Sequence, residues 1–238
     1  MYLILIGWLN LLDKELALLL LHQTKEEPFI IVNELEEATN KNRVANLLEE
    51  LQGNGFIFQK TIDNNYQITR EQRARLAILW AKNGIDFDRI IKELSWQEFE
   101  ILTTIVGDEF GYESKTGLNF STAERKYQID VILKNNPYIL LIDCKHYGGT
   151  GKKSVLKKAA EDQLERIHAV KDSIDDLKQK INVSSWKSLK LLPIIITWLD
   201  DELFFYEKVP IVPFTKLRSF LQNFYLYFED IYQLTITF

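Results

Sequence analysis

The apolar positions along the chain change period several times, and each change marks an element. Residues 8–22 are apolar almost throughout, broken by Asp13, Lys14 and Glu15, and they predict a strongly buried helix. A short extended run follows at 28–32, then helices at 34–38 and 41–52. In the second of these Val44, Leu47, Leu48 and Leu51 recur at helical spacing, and Gly53-Asn54-Gly55 ends it. Residues 56–60 and 66–69, separated by Asp63-Asn64-Asn65, read as a hairpin. A helix over 70–84, with Arg70, Arg73 and Arg75 near its start, closes this part of the chain. Helix, helix, helix, hairpin is the order of a winged helix. Residues 1–90 are therefore expected to form a winged-helix-like N-terminal domain, with the boundary between 84 and 95, around Asn83-Gly84.

Residues 91–238 mix the two periods. A helix is predicted over 96–110, ending at Gly111-Tyr112. Strands are predicted at 126–134 and 138–146, joined by the turn Asn135-Asn136-Pro137. A glycine-rich loop at 148–151 leads into a long helix over 153–180. A strongly apolar strand at 191–198, a shorter one at 203–208 and a helix over 214–228 complete the pattern. Helices and strands in this order predict an α/β layer fold, a mixed sheet flanked by helices.

Composition narrows the picture. At 238 residues, 46% hydrophobic and 26% charged, the chain has the balance of a globular protein of one large or two small domains. The net charge of −5 counts against a purely electrostatic nucleic-acid binder, although a local basic patch would suffice. A single cysteine, Cys144, can form neither a disulfide framework nor a zinc cluster within one chain. His22, His146 and His168 do not stand at metal-ligand spacing. A reducing, cytoplasmic setting is the simplest expectation. The apolar opening has no basic leader and no small-residue cleavage site. Its clean stretch is too short to span a bilayer, so no membrane partner is expected.

The chemistry concentrates on the segment Tyr138-Ile139-Leu140-Leu141-Ile142-Asp143-Cys144-Lys145. Side chains alternate along a strand, so Asp143 and Lys145 share one face and Cys144 points to the other. Charged groups at the end of so apolar a strand are costly without partners. Hairpin pairing about Asn136 would bring Asp130, on the preceding strand, close to Asp143. Two convergent carboxylates make a hard-oxygen site suited to Mg²⁺ or Mn²⁺, with the backbone carbonyl of Cys144 as a further ligand. A lysine beside them can orient or deprotonate water, or stabilise charge developing on phosphate. The competing interpretation is an ordinary salt bridge between Lys145 and one carboxylate.

Asp130, twelve intervening residues and Asp143-Cys144-Lys145 resemble the PD-(D/E)XK nuclease motif. Upstream, Trp96-Gln97-Glu98-Phe99-Glu100 and Gly111-Tyr112 are similar to the first helix of Mrr-like restriction endonucleases and archaeal Holliday junction resolvases. The resemblance covers about residues 95–215; Ile129 stands where proline is usual, and Asp143 where glutamate is more frequent. It implies a restriction endonuclease-like fold and a DNA endonuclease using one or two divalent metals. Glu100 would contribute to the metal site and Gln163 would support it. Cutting both strands of a duplex needs two sites, so a homodimer is expected. The alternative is a non-catalytic winged-helix DNA-binding or regulatory protein with a degenerate nuclease-like domain. RNA in place of DNA stays open.

The segment Gly148-Gly149-Thr150-Gly151-Lys152-Lys153-Ser154 resembles a phosphate-binding loop but fails at His146 and Lys153, so no nucleotide cofactor is expected. Lys152, Lys153, Lys157 and Lys158 form a basic cluster after the site that could hold a phosphate backbone, or simply a solvated helix start. Lys41 and Arg43 open the candidate recognition helix, among glutamates that favour a protein contact as strongly as DNA.

Overall fold

The structure is a computed structural model that describes residues 13–145, 153–198, 200 and 203–238. The chain divides into two compact units, Met1–Leu102 and Thr103–Phe238.

In the first unit α1 (Lys14–Gln23) opens where the Asp13 carboxylate accepts the Leu16 N–H. The acids that interrupt the apolar run in sequence are thus the cap and first turn of the helix. The predicted start at 8–12 lies outside the described residues. Then come β1 (Phe29–Ile30), α2 (Val32–Ala38), α3 (Lys41–Gly53), β2 (Gln59–Lys60), β3 (Tyr66–Gln67), α4 (Arg70–Lys82) and α5 (Phe87–Ile91). The α3 stripe of Val44, Leu47, Leu48 and Leu51 is buried, as its spacing predicts. Thr69 and Gln72 form a capping box at the start of α4. The strands make a small antiparallel sheet in the order β1-β3-β2. Arg73 is buried against Glu98, so one of the three arginines at the start of α4 is a core ion pair. α5, absent from the sequence reading, is five residues long and too short to show a period.

The division between the units falls within α6 (Trp96–Glu109). The second unit continues with β4 (Glu113–Ser121), β5 (Lys126–Asn135), β6 (Tyr138–Lys145), α7 (Lys153–Asp172) and α8 (Ile174–Lys180). It ends with β7 (Ser188–Thr197), β8 (Phe205–Tyr206), β9 (Val209–Pro213), α9 (Phe214–Asn223), a 3-10 turn (Phe224–Tyr227) and β10 (Leu234–Thr237). The sheet runs β4-β5-β6-β7-β9-β8, with β10 on the start of β7. β4, β5 and β6 form an antiparallel meander, whereas β6, β7 and β9 are parallel. The second unit is therefore α/β, a mixed sheet flanked by helices.

The second unit differs from the sequence reading in three ways. The long helix over 153–180 breaks at Ser173 into α7 and α8. Ile167, Val170, Ile174, Leu177 and Ile181 keep a helical spacing through the break and are all buried, so periodicity conceals it. The predicted helix over 214–228 ends as α-helix at Asn223. β4, β9 and β10 are additional strands. β4 is exposed at most of its positions, and β9 contains two prolines. Pro193 in β7 lies between the stretch paired with β10 and the stretch paired with β9, where its missing N–H breaks no ladder on that side.

Two details shape the sheet around Asp130 and Asp143. The register puts Gly117, at φ 67°, across from Asp130. Ile129 and Ile132, on either side of Asp130, enter the same buried cluster. On one face, α6 approaches so closely that a Cβ on Gly107 would lie 2.5 Å from Leu133 Cδ2. α7 covers the other face, with Ile167 and Val170 in the cluster of Ile139 and Leu141.

Candidate active site

The β5–β6 register, from Asn135 opposite Tyr138 to Val131 opposite Ile142, makes Asp130 and Asp143 the next facing pair. They meet where the hairpin argument puts them. Asp130 Oδ2 accepts the backbone N–H of Cys144 at 2.8 Å, which ties its carboxylate to the neighbouring strand. Asp143 is only 3% exposed. Its Oδ1 accepts from Arg166 Nη1 at 3.0 Å, and its Oδ2 lies 2.8 Å from Lys145 Nζ. That second contact is an ion pair without hydrogen-bond alignment: Asp143 Oδ2 is buried and accepts no hydrogen bond among the described residues. Strand alternation holds as well, since Cys144 Sγ lies 3.9 Å from Thr103 Oγ1 on the α6 side.

Gln163 is fully buried on α7. Its Nε2 donates to the Leu141 carbonyl at 2.6 Å, and its Oε1 accepts from Arg166 Nη1 at 3.0 Å. A continuous line of contacts thus runs from the sheet backbone through Gln163 and Arg166 to Asp143 and Lys145. Burial pushes the Asp130 carboxyl above the usual aspartate range, helped by the Asp143 charge; the Cys144 N–H, Lys145 and Arg166 pull it the other way. Two acids and two cations share one end of the sheet.

The donors fit a hard divalent cation. Asp143 Oδ2 is buried and accepts no hydrogen bond among the described residues, Asp130 faces it, and the Cys144 carbonyl belongs to the same strand. Mg²⁺ keeps several waters and is commonly held by one or two carboxylates, so a small donor set suffices. Among the described residues no three acidic, histidine or cysteine side chains gather as a metal cluster. The ordinary salt bridge anticipated for Lys145 is also present, on Asp143.

The structure brings together Asp130, Asp143, Lys145 and Gln163. Glu100 is a buried residue of α6. Lys153 and Lys157 are exposed on the first turns of α7, and Lys157 Nζ stands 5.1 Å from the centre of the Tyr206 ring. Lys158 pairs with Asp162 at 3.0 Å. Lys41 is exposed at the start of α3, whereas Arg43 is ion-paired with Asp13. Lys152, His146, Tyr147 and the glycine loop lie outside the described residues. Arg166 is the functional candidate that the sequence reading missed. Its signal was present: it follows Gln163 by three residues, which places both on one face of α7.

No family model matches the chain. A stretch of 138 residues, 58% of the chain, is 25% identical to an uncharacterized protein of Archaeoglobus fulgidus and covers 97% of it. Among solved structures, the protein of unknown function AF1548 aligns over 50% of this chain and 58% of its own, at 15% identity and a TM-score of 0.29. Protein VC1899 from Vibrio cholerae aligns over 91% of this chain and 51% of its own, at 10% identity and a TM-score of 0.37. The chain spans just over half the length of these two solved proteins. No helix among the described residues is long and apolar enough to cross a membrane.

Proposed function

We propose that the chain is a divalent-metal-dependent DNA endonuclease, with a restriction endonuclease-like domain behind a winged-helix-like module. The observation that carries the reading is the facing pair Asp130 and Asp143 at one end of the sheet, with Lys145 against Asp143. Asp130, Asp143 Oδ2 and the Cys144 carbonyl would hold Mg²⁺ or Mn²⁺, with Glu100 contributing as the PD-(D/E)XK resemblance implies. When bound, the cation supplies an acidified water and charge neutralisation on phosphate. The chain's own groups do the rest. Lys145, paired as an ammonium with Asp143, orients the water and offsets charge developing on the phosphate oxygens. Gln163 fixes the helix against the Leu141 carbonyl and so keeps the site in register. Lys152, Lys153 and Lys157 hold the phosphate backbone without reading sequence. Lys41 and Arg43 serve the N-terminal module in the same way. A homodimer would present one site to each strand.

The test is incubation with supercoiled, linear and four-way-junction DNA in Mg²⁺, Mn²⁺ or EDTA, beside Asp143→Ala and Lys145→Ala. The reading expects metal-dependent cleavage that both substitutions remove while circular dichroism stays unchanged. A second reading, a non-catalytic DNA-binding or regulatory protein, draws on one observation: both Asp143 oxygens already have a cation beside them. It expects DNA binding without cleavage and no Mn²⁺ uptake.

A further inference from the structure

We propose that Arg166 is a positioning residue that takes the electrostatic place of a second metal ion, so that the site accepts a single divalent cation and holds it weakly. The inference rests on the reading of Asp130 and Asp143 as cation ligands. Arg166 Nη1 lies 3.0 Å from Asp143 Oδ1 and 3.0 Å from Gln163 Oε1. Its side chain is 20% exposed, and its guanidinium sets a positive charge opposite Asp143. It is also held from behind: Gln163 is fully buried, and its amide is fixed by the Leu141 carbonyl at 2.6 Å. A surface arginine that merely balanced charge would have no such backing.

This grip makes the two Asp143 oxygens unequal. Oδ1 is taken by Arg166, whereas Oδ2 has the misaligned ammonium of Lys145 beside it and accepts no hydrogen bond among the described residues. One Asp143 oxygen is left to share a cation with Asp130. Two-metal phosphodiesterase sites need enough ligands for two ions a few ångströms apart. Arg166 already holds one Asp143 oxygen, so Asp143 cannot offer both oxygens to a pair of ions while that contact stands. A fixed guanidinium can supply the positive charge that a second ion would otherwise bring to the phosphate. The same charge repels the first ion, and more strongly in a part-buried site than in water. Removing it should therefore tighten cation binding and slow cleavage. A purely structural arginine would not move these two readouts in opposite directions.

The experiment is Mn²⁺ binding to the full chain without DNA, by calorimetry and electron paramagnetic resonance. It uses wild type, Arg166→Gln, Arg166→Lys and Asp143→Ala. Wild type should take up a single ion, and Arg166→Gln should bind it about tenfold more tightly. Arg166→Lys, which keeps the charge, should stay within about threefold of wild type. Two ions in wild type would overturn the inference, and that arm does not depend on any variant folding. So would a folded Arg166→Gln with unchanged or weaker affinity. Loss of binding in Asp143→Ala supports the underlying cation reading; no Mn²⁺ binding in wild type would remove that reading and this inference together.

Discussion

Asp130 carries the sharpest consequence at the scale of a single residue. Its carboxyl is pushed above the usual range by burial first and by the Asp143 charge second. A carboxyl whose folded-state value is raised binds its proton more tightly when folded than when unfolded. Its contribution to stability is present below the unfolded value and is lost as pH rises through the folded one. Once ionised, Asp130 therefore costs stability. Asp130→Asn keeps an oxygen able to accept the Cys144 N–H and removes the charge. Thermal melts should show it more stable than wild type at pH 7, with the gain shrinking toward acid pH, while cleavage is lost. A lower melting temperature at neutral pH would contradict the account. Asp130, Asp143 and Lys145 were legible in sequence because hairpin pairing and strand alternation need only counting. The guanidinium of Arg166 was not, because the partner of a helix side chain depends on how the helix is rotated over the sheet.

At the scale of elements, α6 packs closely on β5. Gly107 permits that approach, since an added Cβ would meet the fully buried Leu133 side chain at 2.5 Å. Gly107→Ala should destabilise the protein by about 1–3 kcal/mol, the usual cost of overpacking a filled core. Urea unfolding would measure it, and a neutral result would mean that the helix shifts freely. The elements legible in sequence were those with an unbroken period, such as α3 and the β5–β6 hairpin. β4 escaped because most of its residues face solvent, and β9 because Pro210 and Pro213 argue against a strand. The break at Ser173 escaped because the apolar spacing continues through it.

At the scale of the whole molecule, a net charge of −5 repels a polyanion, so any DNA affinity must come from local basic groups. Lys153 and Lys157 are exposed on the first turns of α7, and Lys152 precedes them in sequence. If each contacts a phosphate, affinity should fall steeply with salt. Replacing Lys153 and Lys157 by glutamine should reduce the slope of log K against log salt by about 1.8 on duplex DNA, at about 0.9 per phosphate. An unchanged slope would place the contacts elsewhere. The central claim, that Asp130, Asp143 and Lys145 form a hydrolytic centre, is tested most directly by metal-dependent nicking of supercoiled DNA. Wild type would be compared with Lys145→Ala and Asp143→Asn at matched folding. The account predicts nicking in Mn²⁺ or Mg²⁺ that EDTA stops and that either substitution reduces at least about a hundredfold, the scale of losing a catalytic acid–base group. Equal nicking by wild type and both variants, or none by wild type with any DNA form, would contradict it.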